Sequence, residues 1–96
     1  MRIAAKVDRN QAEIVEAFRK FGCSVLPLHQ MGKGCPDILV AKRQKSVLVE
    51  IKDGNKCASG QKLTPDQIIF HSEWRGRIVV INNLVGVCDL VKELEA

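Results

Sequence analysis

The strongest constraint on the fold is a pair of apolar runs with charges set into them. The first is Asp37-Ile38-Leu39-Val40-Ala41. After the basic stretch Lys42–Lys45 comes the second, Ser46-Val47-Leu48-Val49-Glu50-Ile51-Lys52. Strand side chains alternate between faces, so Glu50 and Lys52 project together. If the two runs pair, Asp37 lies beside them, and two carboxylates and one ammonium gather at one end of a small sheet. A same-face Glu–Lys pair on an exposed strand is the ordinary alternative, and an aspartate in this position often only caps a turn. The apolar surroundings argue against decoration, because charges there cost free energy unless they are partnered.

The rest of the chain reads as elements packed around this hairpin. Asp8 is read as an N-cap, with Gln11 reaching back as in a capping box. Ile14, Val15, Phe18 and Phe21 then form one helical stripe, which Gly22 ends. Ser24–His29 reads as a strand and Gln30–Gly34 as a Gly-containing loop that a ligand can approach closely. Asp53–Lys62 is a polar loop that could fold over a substrate. Thr64-Pro65-Asp66-Gln67 has Thr at N-cap, Pro at N1 and Gln at N3, a strong helix start. That helix runs to about Trp74, which is expected in a core or a subunit interface. His71 is expected on the helix surface or satisfied within it. Arg77–Ile81 is a further strand. Leu84, Val87, Cys88, Val91 and Leu94 share one face of a last helix, weakened by Gly86.

Ninety-six residues suit a single domain, 1–96, and so short a chain buries a modest fraction of its surface. Cys23, Cys35, Cys57 and Cys88 form no CxxC pair and are not spaced with His29 and His71 as a zinc site. Cys23 and Cys88 read as small buried hydrophobes. A reducing cytoplasm fits this usage. No apolar run reaches membrane-spanning length, no signal peptide is expected, and nothing calls for an organic cofactor. A net charge of +4 permits a nucleic-acid partner without requiring one.

Pro36-Asp37, twelve residues, then Glu50-Ile51-Lys52 resembles the PD-(D/E)xK pattern of metal-dependent nucleases. The blocks Gly32-Lys33-Gly34-Cys35-Pro36-Asp37, Val49-Glu50-Ile51-Lys52-Asp53-Gly54 and Leu63-Thr64-Pro65-Asp66-Gln67, in this order, resemble the VRR-NUC branch in its small stand-alone form. The resemblance covers roughly residues 8–82. It implies an α/β, restriction-endonuclease-like core with a central mixed sheet of about four strands flanked by helices. It implies a Mg²⁺-dependent endonuclease, with Mn²⁺ able to substitute. Asp37, Glu50 and the main-chain carbonyl of Ile51 would be the ligands, and Lys52 would lower the attacking water's pKa or neutralise developing charge.

A carboxylate on the first helix often completes such sites. Glu13 borders the apolar stripe, beside Ala17, and matches the family's early Gln-x-Glu. Glu16, nearer the wet face, is the alternative, and solvated helix charges are the ordinary reading of both. The resemblance also sets Gln67 beside the active site, orienting water or phosphate. Capping and catalysis would ask for different directions of that side chain. Lys33 and Gly34 are expected to meet a phosphate, and Lys6 and Arg9 to touch the DNA backbone. The implied substrate is branched DNA such as Holliday junctions, cut by a homodimer. The alternatives are a non-catalytic DNA-binding module of the same fold, or a nuclease acting on other DNA structures or RNA.

Overall fold

The computed structural model describes residues 10–96. Lys6, Asp8 and Arg9, and what is expected of them, lie outside these residues. Helix α1 spans Gln11–Lys20. It ends where Gly22 takes φ +85°. There the Cys23 amide bonds the Phe18 carbonyl at 3.0 Å, and the Gly22 amide bonds that of Arg19. This is the left-handed exit that glycine makes without steric cost.

Strands β1 (Ser24–Pro27), β2 (Ile38–Lys42), β3 (Lys45–Ile51) and β4 (Ile78–Ile81) form one sheet in the order β1-β2-β3-β4. The first three run antiparallel, and β4 lies parallel to β3. The crossover between β3 and β4 carries a 3₁₀ turn, Ala58–Gln61, and helix α2, Pro65–Glu73. Helix α3, Leu84–Glu95, closes the chain, capped by the Asn83 side chain on the Gly86 amide. The architecture is α/β, with the mixed four-stranded sheet read from the sequence.

The two faces of the sheet differ. On one, Ile38, Val40, Val47, Val49, Ile51 and Ile81 pack with Ile14 and Phe18 of α1 and Val87, Leu90, Val91 and Leu94 of α3. At about 25 cal/mol per Å² of apolar surface, this layer is the main source of stability. The other face carries Leu48, Glu50 and Lys52, and α2 lies against its Glu50–Lys52 end without burying any residue. The basic turn Lys42–Lys45 is held by the end of α3: Lys42 pairs with Glu95 at 3.0 Å, and Lys45 bonds the Ala96 carbonyl at 2.7 Å.

Several expectations are corrected. Helix α1 starts at Gln11, so Gln11 is its first residue and not the N3 partner of a capping box. Strand β1 stops at Pro27, which has no N–H to continue a ladder, and does not reach His29. Phe21, Leu84 and Cys88 are exposed, because the buried stripes turn through Ile14–Phe18 and Val87–Leu94. Trp74 is exposed too, so it is no core residue, and it stacks on Phe70 with ring centres 5.6 Å apart. The Asp53–Lys62 loop is tied to the β4–α3 corner: the Gly54 amide bonds the Asn82 carbonyl, and Asn82 Nδ2 bonds Gln61 Oε1. All four cysteines are free. No described helix is long and apolar enough to cross a membrane.

Candidate active site

Asp37 stands just ahead of β2, fixed by its neighbours. Its amide bonds the Val49 carbonyl at 3.1 Å, and its carbonyl accepts from Leu28 at 2.8 Å. Beyond Ile38 the strand β2 no longer offers a ladder partner to β3. The carboxylate takes that place, and Oδ2 accepts from the Ile51 amide at 2.7 Å. Asp37 is thereby pinned against the end of β3 that carries Glu50 and Lys52.

Glu50 is almost wholly enclosed, at 2% exposure. Alternation sends Val49 and Ile51 into the core and Glu50 and Lys52 to the opposite face, under α2. A buried carboxylate needs hydrogen-bond partners. Gln67 Nε2 donates to Glu50 Oε2 at 3.2 Å, while Gln67 Oε1 accepts from Lys52 Nζ at 2.9 Å. The amide thus joins acid and ammonium. The same Oε1 accepts from the Thr64 amide at 2.9 Å, and Thr64 Oγ1 accepts from the Gln67 amide at 3.2 Å. Capping box and site are one arrangement, and a single direction of the Gln67 side chain serves both.

His71, one turn beyond Gln67, also faces the site. Its Nε2 lies 3.6 Å from Glu50 Oε1. Burial, and then Lys52, push its pKa below the usual histidine value. Cys35 neighbours both acids: burial first, then Glu50 and Asp37, push its thiol pKa up, which keeps it protonated.

Glycine 34 has a clear packing reason. A Cβ there would stand 2.3 Å from the Asp66 carbonyl oxygen and 2.8 Å from the Gln67 amide, and φ is +78°. Only glycine lets this loop press against the first turn of α2. Lys33, also at positive φ, is exposed.

The structure does not bring Glu13 to Asp37 and Glu50. Among the described residues no three His, Cys, Asp or Glu side chains are grouped to hold a metal ion. Glu13 is exposed and opens onto a separate cleft with Asn10, Asp53, Asn82 and Leu84. Glu16 is exposed as well and pairs with Lys20 at 3.2 Å. The reason is helical phase. Gln11, Ile14 and Phe18 share the inward face, and a residue two places from Gln11 turns away from it. The buried polar residue of α1 is Gln11, at 6% exposure. Next to it, Asn10 Nδ2 holds the Lys52 carbonyl at 2.9 Å. Sequence reasoning missed both. Gln11 precedes Ile14 by three and Phe18 by seven, which is the stripe's own spacing.

A solved structure of a VRR_NUC domain is similar to this chain, with a TM-score of 0.67 and 29% identity, over 88% of this chain and 91% of that one. The similarity supports the VRR-NUC reading of the sequence. No family model matches the sequence, and no curated protein does. In this fold the nuclease-type motif residues Asp37, Glu50 and Lys52 meet at one end of the sheet, and Gln67 links two of them.

Proposed function

We propose that this VRR-NUC domain is a Mg²⁺-dependent DNA endonuclease that hydrolyses phosphodiester bonds, selective for branched DNA such as Holliday junctions and active as a homodimer. The observation that carries this reading is the Glu50–Gln67–Lys52 chain of hydrogen bonds beside Asp37. Pure binding of DNA does not call for a buried acid beside a second carboxylate.

The donor set suits Mg²⁺, a hard ion that takes one or two carboxylates, keeps several waters and completes its shell with substrate phosphate. Mn²⁺ would substitute. Asp37 and Glu50 would hold it. Asp37 anchors itself through Oδ2 on the Ile51 amide, which leaves Oδ1 to ligate. The expected role of the Ile51 carbonyl belongs to the same proposal. When bound, the ion activates water and polarises the phosphate.

The protein's own groups supply the remainder. Lys52 Nζ, aimed by Gln67 Oε1, offsets negative charge that develops on the phosphoryl oxygens. Gln67 Nε2 keeps Glu50 oriented. Lys33, Arg9 and Lys6 would meet the sugar-phosphate backbone, a sequence-independent contact. Gly34 serves the docking of α2 and contributes to the DNA contact only through its backbone. Two copies related by a two-fold axis would present two sites to symmetric strands of a junction.

The test is cleavage of a labelled four-way junction with Mg²⁺ by the wild-type protein and by Asp37→Ala. Wild type should cut, and the variant should lose on the order of a hundredfold or more. Binding by both with cutting by neither would make the chain a DNA-binding module. Nicked, flapped, linear and RNA substrates in the same assay define the target class. Sedimentation at micromolar concentration should give a dimer, and a monomer there would remove that part of the reading.

A further inference from the structure

Helix α2 is inverted relative to an ordinary surface helix. It buries no residue fully, and Ile68 and Ile69 stay 54% exposed. The side chains it turns toward Glu50 are polar: Gln67 and His71, four residues apart and therefore on one face. Each addresses a different oxygen of Glu50. Gln67 Nε2 bonds Oε2 at 3.2 Å, and His71 Nε2 lies 3.6 Å from Oε1. The His71 Nε2 is enclosed and has no hydrogen-bond partner among the described residues. An enclosed, unbonded nitrogen is unfavourable unless some state of the site gives it a partner.

We propose that His71 is a positioning residue for Glu50: α2 grips both carboxylate oxygens, Oε2 through Gln67 and Oε1 through His71. The inference rests on Glu50 being a metal ligand, as proposed above. The gap from 3.6 Å to hydrogen-bond distance is about half an ångström. Catalytic contacts are often this loose in the unloaded state and tighten when the site is filled. With both oxygens steered from one helix, Glu50 cannot swing away from Asp37, and the ion meets a carboxylate already oriented. Groups that orient metal ligands in this way typically contribute about 10–100-fold to affinity.

The experiment is calorimetric titration of the full chain with Mn²⁺, without DNA, for wild type, His71→Leu, His71→Gln and Asp37→Ala. His71→Leu should weaken binding by about 10–100-fold. His71→Gln places an amide N–H near the former Nε2 position and should recover affinity to within about threefold. A leucine variant that binds as tightly as wild type, while Asp37→Ala does not bind, would overturn the role of His71 and leave the metal site standing. Tight binding by Asp37→Ala would instead remove the reading of Asp37 and Glu50, and this inference with it. A measurement on the unsubstituted protein guards against a variant that does not fold. Side-chain ¹H–¹⁵N correlations of His71 should shift at Nε2 as Mg²⁺ is added, and an unmoved Nε2 signal would overturn the proposal.

Discussion

The two faces of the sheet are built on opposite rules. On the α1/α3 face, Phe18, Val40, Val49 and Val87 are fully enclosed and apolar, and the layer is held by burial alone. On the α2 face the enclosed residue at the centre is a carboxylate, and the helix above it leaves its isoleucines in solvent. The first face supplies stability. The second uses some of it to keep Glu50, Lys52 and His71 close together in an apolar setting. Strand β3 belongs to both, since alternate side chains serve each face, and so the rigidity of one is passed directly to the other.

Four substitutions can break or sharpen this contrast. The largest effect belongs to the first face. Phe18→Ala should cost about 3–5 kcal/mol, read by denaturant unfolding, because a large buried ring leaves a cavity. A cost under about 1 kcal/mol would show that burial does not dominate there. Next is the contact that seats α2. Gly34→Ala should cost about 1–3 kcal/mol through overpacking against Asp66 and strain at positive φ, with cleavage falling in parallel. Cleavage that survives intact would mean that α2 can shift without disturbing the site.

The third substitution reverses the sign. Glu50→Gln keeps the shape and removes a buried charge, so stability should stay level or rise by up to about 2 kcal/mol while cleavage is lost. A clear loss of stability would make the charge part of the fold. The smallest effect is expected at Ile69→Thr, where a half-exposed side chain should change unfolding by no more than about 0.5 kcal/mol. A larger, concentration-dependent loss would show that a second copy covers α2.

The fold was legible because its main signals are local. Alternation in 46–52 gave β3 and sent Glu50 and Lys52 to one side. Thr64-Pro65 gave the start of α2, and Gly22 gave the end of α1. The convergence of Asp37, Glu50, Lys52 and Gln67 was legible, because strand period and cap spacing fix direction within a few residues. The site was not legible on α1. The phase of that helix is set by what it packs against, so Glu13, at the border of the apolar stripe, was read toward the site and Gln11 was read into a cap that does not form. His71 was missed for a related reason: nothing local says that α2 turns its polar side toward the sheet. Asn10 was invisible because its partner, the Lys52 carbonyl, is 42 residues away.

The dual engagement of Gln67 narrows what that position can hold. A glutamate would still accept from Thr64 and Lys52, but it would have no hydrogen to offer Glu50 and would set one negative charge against another. Asparagine, one methylene shorter, could not span from the helix start to the strand. A hydroxyl or an alkyl group would keep the Thr64 Oγ1 bond to the residue 67 amide but lose the side-chain half of the capping box and the bridge together. The start of a helix and the poise of an acid therefore depend on one amide, and neither can drift without the other.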